Sequence, residues 1–219
     1  MDWGLIMIKA IVLDFDGVVL ESASIKTNAF AEVVKGYPKP QAEAFVEYHK
    51  NHMGVSRHVK FQYFIEEILK QSYTVEKGQK FSNKFAEIVF KRVMECSFVP
   101  GAKEFLERNY KKYDLYIASG TPEEELKQIV RGRGLDRFFR KYYGTPMKKE
   151  EIVEDICEKN GYRKEQMCFV GDAVTDKEAA YHTGLQFIAR KTDDNQRDFQ
   201  DILYKVDNLL QIEKILGEM

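Results

Sequence analysis

The sequence contains few of the cysteines that are typical of secreted proteins and of proteins stabilised by a structural metal. Its 219 residues include three cysteines, five prolines and one tryptophan. The cysteines, Cys96, Cys157 and Cys168, are odd in number, widely spaced and form no CxxC pair, so they predict neither a disulfide framework nor a zinc site. This cysteine usage is typical of a reducing compartment, and we expect a cytoplasmic protein.

An excess of charge of one sign and a long apolar run are also missing. Lysine and arginine number 34 and aspartate and glutamate 35, which gives a formal net charge of −1. This balance predicts neither a nucleic-acid partner nor a membrane surface, and no stretch approaches the roughly 20 apolar residues that cross a bilayer. The opening residues do not resemble a secretory signal, and either Met1 or Met7 is the biological start. We expect a small soluble partner, with monomer and homodimer both open.

What the sequence does contain is an apolar run that leads into two aspartates. The stretch Ile8–Val18 reads IKAIVLDFDGV, with Asp14 and Asp16 before Gly17. A continuous apolar run predicts a strand that is buried on both faces, as in a parallel sheet covered by helices. The aspartates would then lie at the carboxyl end of the strand, where such sheets bind ligands. The alternative is that both residues only form a turn.

The rest of the chain predicts an α/β fold with a helical insertion. Residues 20–97 show helical spacing of apolar residues and about four helices, whereas strands and helices alternate after residue 98. The alternation predicts a doubly wound parallel sheet formed by residues 1–19 and 98–219. The expected strands after the insertion are Leu115–Ala118, Tyr142–Gly144, Gln166–Val170 and Leu185–Ala189, and a charged loop at 191–198 and a last helix at Val206–Leu216 are expected after them.

Further polar residues follow the predicted strands. Ser119 and Gly120 follow the second strand, Lys148 and Lys149 follow the third, and Asp172 and Asp176 follow the fourth. In a parallel sheet all of them meet Asp14 and Asp16 at one edge. Taken singly, each has a simpler interpretation as a turn residue, a helix cap or a solvated lysine.

Together these residue types suit phosphoryl transfer, which depends on positioning and on neutralising negative charge. Asp14 could attack phosphorus and form an aspartyl-phosphate, while Asp16 protonates the leaving oxygen and later activates water. Ser119 and the nearby backbone N–H groups would bind the phosphoryl oxygens. An acidic site without nearby histidine or cysteine favours Mg²⁺, with carboxylates from Asp14 and Asp172.

Four segments in order resemble the haloacid dehalogenase (HAD) superfamily: Asp14-Phe-Asp16-Gly-Val, Ala118-Ser119-Gly-Thr, Gly144-Thr-Pro-Met-Lys-Lys-Glu and Gly171-Asp172-Ala-Val-Thr-Asp176. The resemblance covers nearly the whole chain. It implies a Rossmann-like core at residues 1–19 and 98–219 and a helical cap of the C1 type at residues 20–97. It also implies that Asp14, the backbone carbonyl of Asp16 and Asp172 bind the metal, and that Asp176 supports the metal waters or the lysine. The motif places Lys149 on the lysine position, and Lys148 is the alternative.

One segment of the insertion resembles the β-phosphoglucomutase branch of that superfamily. Gly54-Val-Ser-Arg57 matches a stretch whose arginine binds a distal phosphate, so Arg57 is a candidate for a second anion. Lys26 occupies the place of a mutase histidine and is a candidate for substrate binding, and Glu21 replaces a usual aspartate. We therefore predict a Mg²⁺-dependent phosphatase acting on a sugar phosphate or a phosphoglycolate-like acid, with a phosphosugar mutase as the alternative.

Two other interpretations of the sequence are disfavoured by its motif residues. The dehalogenases of the superfamily lack the second aspartate, so Asp16 argues against them. An inactive binding module with the same fold is disfavoured because a competent residue occupies every motif position.

Overall fold

The structure is a computed structural model, and it describes residues 7–53, 55–192 and 195–219. Gly54 of the mutase-like segment, the residues before Met7 and part of the predicted loop at 191–198 lie outside the described residues.

The centre of the fold is a sheet of six parallel strands in the order β3-β2-β1-β4-β5-β6. The strands are β1 (Ala10–Leu13), β2 (Asp114–Pro122), β3 (Lys141–Thr145), β4 (Met167–Gly171), β5 (Gln186–Arg190) and β6 (Tyr204–Val206). The order reverses between β1 and β4, because the chain extends the sheet on one side of β1 and then on the other. A reversal of this kind opens a crevice at the carboxyl ends of the two central strands.

Strand β1 lies at the middle of the core, as its apolar run predicts. All four of its residues are fully buried. Ile11 and Leu13 pack in one hydrophobic cluster, and Ala10 and Val12 pack in a second cluster. Since successive side chains of a strand point to opposite faces, the two clusters cover the two faces of the sheet.

Helices connect the strands. They are α1 (Ala23–Val34), α2 (Lys39–Asn51), α3 (Arg57–Tyr63), α4 (Val75–Glu95), α5 (Ala102–Asn109), α6 (Glu123–Gly132), α7 (Lys149–Asn160), α8 (Val174–Thr183) and α9 (Ile212–Leu216), with a π-helical turn at Phe64–Ile68 and short 3₁₀ turns at Asp136–Phe138, Lys164–Gln166 and Leu209–Gln211. Alternation of parallel strands and helices confirms the predicted Rossmann-like α/β class. No helix in the described part of the chain is long and apolar enough to cross a membrane.

Helices α1–α4, hereafter the helical insert, lie between β1 and β2 in the chain. Their shared interior is aromatic, with fully or almost fully buried rings at Phe30, Phe45, Phe61, Phe64 and Phe85. Offset and edge-to-face ring pairs of this kind stabilise a small interior beyond their buried area. The number of helices agrees with the sequence, whereas the boundary of a separate domain at residues 20–97 stays a prediction.

The structure differs from the sequence expectations in the last quarter of the chain and at β2. The predicted last helix at Val206–Leu216 ends where the sequence predicts but begins too early: α9 covers only Ile212–Leu216, and β6 and a 3₁₀ turn come before it. A three-residue strand is too short to show an alternating pattern, so only pairing with β5 reveals it. Strand β2 also runs beyond Ala118 to Pro122, with an irregular register between these two residues.

Candidate active site

Asp14 follows β1 directly and faces the crevice beside β4. Its backbone N–H donates to the carbonyl of Val170, 2.9 Å away, so the chain stays paired with β4 at this point. The side chain is 4% exposed. Because the residue is fixed at the centre of the sheet, its carboxylate occupies one defined position in the crevice.

Lys149, the first residue of α7, joins two of the aspartates. Its Nζ donates to Asp14 Oδ1 at 3.1 Å and to Asp176 Oδ1. The other oxygen of Asp176 accepts from the backbone N–H of Ala173 at 3.0 Å, so both oxygens of this fully buried carboxylate are engaged. Lys148 is exposed, and its backbone N–H donates to the Glu151 carboxylate at 3.1 Å. The structure therefore brings Lys149, and not Lys148, into the crevice.

The aspartates of the crevice carry more negative charge than Lys149 balances. Burial, followed by the charges of Asp176 and Asp16, raises the pKa of Asp14 to about 7 even though Lys149 acts in the opposite direction. Burial and the neighbouring Asp14 and Asp176 raise the pKa of Asp172 well above its usual range. For Lys149, the two carboxylates outweigh burial and raise the pKa.

This arrangement fits a divalent cation. Asp14, Asp172 and Asp176 each offer an oxygen atom, and these atoms all lie within 4.8 Å of one another. An all-oxygen, acidic set of this kind is what Mg²⁺ prefers, and a cation would relieve the repulsion that raises the two pKa values. The backbone leaves room for it: Gly17 has a φ of +82°, and a Cβ there would overlap the carboxylate of Asp172.

Asp16 lies in a separate network of hydrogen bonds. Oδ1 accepts from the hydroxyl of Ser22 at 2.6 Å, and Oδ2 accepts from Lys26 Nζ. The hydroxyls of Thr121 and Ser119 lie 3.2 and 3.4 Å from Oδ2. Burial opposes ionisation of Asp16, but the charge of Lys26 and these hydrogen bonds outweigh it and lower the pKa of the carboxyl.

Ser119 and Gly120 take different positions in the site. Ser119 is 1% exposed, and its hydroxyl accepts from the backbone N–H of Thr121 at 3.1 Å, which fixes the irregular end of β2. Gly120 and Thr121 line the cavity over the crevice, and Asp14, Asp16, Asp172 and Lys149 line it as well. The volume of this cavity is about 300 Å³.

The helical insert forms the opposite wall of the cavity. Lys26, Phe30, His49, Arg57, Lys60 and Phe85 line it from that side. Arg57 lies where the sequence predicts, but its guanidinium is already engaged. It donates from Nη1 to Glu125 of α6 at 2.7 Å, from Nη2 to the same carboxylate, and from Nε to Ser82 at 2.7 Å.

The sequence did not indicate several residues that organise the site. Thr121 stands in the quoted motif of β2, yet its contacts with Asp16 and Lys26 depend on the irregular register of that strand. Ser22 reaches Asp16 from the start of α1. Asn195 donates to the backbone carbonyl of Asp172 at 2.8 Å and fixes the loop after β4. The lysine and histidine on the insert, Lys60 and His49, belong to no recognised motif.

The geometry of the crevice agrees with a known family of proteins. The family model described as haloacid dehalogenase-like hydrolase matches residues 11–190, which include every aspartate of the crevice. The chain belongs to this family. The predicted superfamily is therefore confirmed, and so is the prediction of a hydrolytic enzyme. Members of the HAD family generally use a divalent metal, and the cluster of Asp14, Asp172 and Asp176 is the acidic site that suits one.

Named relatives of this HAD protein include a curated enzyme and solved structures. The phosphorylated carbohydrates phosphatase of Thermotoga maritima is 26% identical over 186 residues, which cover 82% of this chain and 83% of that protein. A predicted phosphoglycolate phosphatase from Haemophilus somnus 129PT matches with a TM-score of 0.75 at 19% identity. The match covers 97% of this chain and 99% of that protein's chain. The β-phosphoglucomutase of Clostridium difficile matches with a TM-score of 0.74 at 16% identity. This match covers 97% of this chain and 98% of the mutase chain. At these identities the solved structures support the fold alone.

Proposed function

We propose that this HAD protein is a Mg²⁺-dependent phosphatase that hydrolyses a small phosphorylated metabolite through an aspartyl-phosphate on Asp14. The observation that carries the proposal is the division of the carboxylates into two environments. Asp14 lies against Lys149 beside the acidic cluster, whereas Asp16 lies in its own network with Lys26, Ser22 and Thr121. Two carboxylates in different environments suit two different roles in one reaction.

In the first step, an oxygen of Asp14 attacks phosphorus as the bond to the leaving oxygen breaks, and Asp16 gives its proton to that oxygen. Without substrate, Lys26 and Ser22 favour the ionised form of Asp16. An incoming phosphate brings negative charge next to Lys26 and Asp16, which raises the pKa of Asp16 and supplies the acid form. The free alcohol then leaves.

In the second step, the ionised Asp16 accepts a proton from a water molecule, and the water oxygen attacks phosphorus. The bond between Asp14 and phosphorus breaks, which releases inorganic phosphate and restores the Asp14 carboxylate. In both steps, Lys149 and the Ser119–Thr121 end of β2 would bind the phosphoryl oxygens, which is consistent with the contact of Lys149 with Asp14.

The metal would be held by Asp14, Asp172 and the backbone carbonyl of Asp16, with Asp176 acting through Lys149. Bound Mg²⁺ neutralises charge on the phosphoryl group and on the carboxylates that approach it. This assignment of Asp176 rests on its two engaged oxygens.

The substrate class follows from the cavity and the curated relative. About 300 Å³ accommodates a small sugar phosphate or phosphorylated acid, which agrees with the name of the Thermotoga maritima enzyme. The mutase alternative is not favoured, because the side chain that holds Asp16 is Lys26, in the place of the mutase histidine. Monomer or homodimer, and a cytoplasmic location, stay predictions.

The test is release of phosphate from an aryl phosphate and from a panel of sugar phosphates, with Mg²⁺ and with a chelator. We expect metal-dependent release by the wild type and a loss of about 1,000-fold or more in Asp14→Asn, because an amide is not a nucleophile for phosphorus. Asp198→Asn, an exposed aspartate outside the cavity, is the matched control. Turnover by wild type that does not depend on metal, or an active Asp14→Asn, would refute the proposal.

A further inference from the structure

A lysine of the helical insert is buried in the cavity wall without a carboxylate partner. Lys60 of α3 is 2% exposed and lines the cavity. Its Nζ lies 2.9 Å from Nδ1 of His49 and 5.3 Å from the centre of the Phe30 ring. Among the described residues, no carboxylate pairs with it. Buried charges in proteins are normally paired, so a buried lysine that faces the cavity is a candidate for binding an anionic ligand.

The hydrogen bonds around His49 define what Lys60 can offer. The hydroxyl of Thr27 donates to the carbonyl of Ala23 at 3.2 Å and therefore accepts from Nε2 of His49 at 2.9 Å. With its proton on Nε2, His49 accepts from Lys60 at Nδ1. Burial and the nearby lysines lower the pKa of His49 to about 3, which keeps the ring neutral. An ammonium group at Lys60 thus uses one of its three N–H donors and keeps two for a ligand.

The other cations of the cavity are already neutralised. Lys26 pairs with Asp16, Lys149 pairs with Asp14 and Asp176, and Arg57 pairs with Glu125. Burial, followed by the charge of Lys26, lowers the pKa of Lys60 to about 7. An anion at this point would supply the counter-charge and favour the ammonium form. Arg57 stays the residue that the sequence predicts for a second anion, but its guanidinium has a carboxylate partner in Glu125, whereas Lys60 pairs with no carboxylate among the described residues.

We propose that Lys60, held in position by His49, binds a second anionic group of the substrate, so that the preferred substrate is a phosphate ester with a carboxylate or a second phosphate at its far end. This inference rests on the proposed phosphatase function and specifies its substrate class. Three helices fix the group, since Thr27 and Phe30 belong to α1, His49 to α2 and Lys60 to α3. A fixed cation discriminates between a charged and a neutral end of the substrate at low entropic cost.

The experiment compares substrates that differ only in the charge of the far end. For a carboxylate, the pair is 3-phosphoglycerate and glycerol 3-phosphate. For a second phosphate, the pair is glucose 1,6-bisphosphate and glucose 6-phosphate. We expect wild type to prefer the charged member of one pair by about 30-fold in kcat/KM, which corresponds to about 2 kcal/mol. The pair that shows the preference identifies which anion the site takes.

The variant Lys60→Met should reduce that ratio of kcat/KM values to about 1 to 3, mainly through KM for the charged substrate, whereas Lys60→Arg should retain part of it. Lys80→Met is the matched control, because Lys80 is an exposed lysine on α4 of the same insert, and it should keep the wild-type ratio. Thermal unfolding of each variant shows that it is folded.

A second experiment uses wild type alone. Phosphonoacetate should inhibit aryl phosphate hydrolysis about 10-fold more strongly than 2-hydroxyethylphosphonate, because only phosphonoacetate carries a second anionic group.

The outcomes separate this inference from the proposed function. Equal kcat/KM for both members of both pairs, together with equal inhibition by the two phosphonates, would overturn the role of Lys60 and leave the phosphatase intact. A preference for the charged substrate that persists in Lys60→Met would overturn it as well. A wild type that hydrolyses no phosphate ester, including the aryl phosphate, would refute the proposed function and this inference with it.

Discussion

At the scale of single residues, one lysine organises the charge of the site. Lys149 is the group that contacts both Asp14 and Asp176, and its own side chain is 8% exposed. Without it, the cluster of three aspartates would lose the cation that contacts two of its members. The position of Lys149 at the first turn of α7 explains this arrangement, because that turn closely follows the carboxyl end of β3.

The adjacent lysines Lys148 and Lys149 should differ in their effect on activity. Lys149→Ala should lower kcat/KM by about 100-fold or more, since it removes a cation that stabilises charge at the reacting group. Lys148→Ala should stay within about twofold of wild type, because Lys148 is exposed. Steady-state kinetics of both variants with one substrate is the measurement. Equal losses would show that Lys149 acts through the fold and not through the site.

Residues of the site differ in how far the sequence reveals them. Asp14, Asp16, Asp172, Asp176 and Lys149 stand in short motifs after predicted strands, and the crevice brings all of them together. Lys60 and His49 carry no local signal, since a lysine and a histidine eleven residues apart on two helices are usually solvated. Their contact depends on how α2 and α3 pack, which is a property of the tertiary structure.

At the scale of elements, the turn after β1 packs closely against the turn after β4. Gly17 adopts a φ of +82°, and a side chain there would overlap the carboxylate of Asp172 from the turn after β4. The absence of a Cβ at Gly17 therefore lets the Asp172 carboxylate lie against the turn after β1.

A second prediction follows for Gly17→Ala. The Mg²⁺ concentration that gives half-maximal activity should rise by about 10-fold to 100-fold, because the Asp172 carboxylate must move from its place. Gly36→Ala is the control: a Cβ at Gly36 would meet no atom within 4 Å, so the variant should match wild type. Metal titration of activity distinguishes the two. An unchanged metal requirement in Gly17→Ala would contradict the assignment of Asp172.

Elements were predictable where local patterns were strong. The apolar run before Asp14 identified β1 because a strand buried on both faces needs no polar alternation. Strand β6 was missed because Tyr204–Val206 has three residues and is defined by its pairing with β5. The extension of β2 to Pro122 likewise depends on pairing with β3, where Pro122 lies beside Thr145.

At the scale of the whole molecule, sheet and helical insert enclose one cavity from two sides. The sheet supplies the carboxylates, and the insert supplies Lys26, Lys60 and an aromatic lining. Arg57 of the insert and Glu125 of α6 form a direct ion pair across the two parts. In the proposed mechanism, the groups that select the substrate and the groups that react with phosphorus therefore line opposite walls of the same cavity.

The third prediction links metal, pH and stability. In metal-free protein the pKa of Asp14 is about 7 against an ordinary value of 3.8, so between these values the folded state binds more protons than the unfolded state. The contribution of Asp14 therefore makes the free energy of unfolding fall as pH rises from about 4 to about 7. The proposed Mg²⁺ would bind the ionised carboxylates, so the stabilisation of the protein by Mg²⁺ should be larger at about pH 8 than at about pH 5.5.

Thermal unfolding with and without Mg²⁺ measures this effect. We expect a rise in Tm of about 3 °C or more at the higher pH, a smaller rise at the lower pH, and almost none in Asp172→Asn. A rise in Tm that is equal at both pH values, or that survives in Asp172→Asn, would contradict a metal held by this cluster.

The most direct test of the account is to trap the phosphoryl group on the protein. The variant Asp16→Asn, mixed with Mg²⁺ and an aryl phosphate whose leaving group needs no proton, should form the intermediate but hydrolyse it slowly. Borohydride reduces an aspartyl-phosphate to homoserine, so mass spectrometry of the quenched protein should find homoserine at position 14. Modification at another residue, or continued turnover with no modified residue, would contradict Asp14 as the nucleophile.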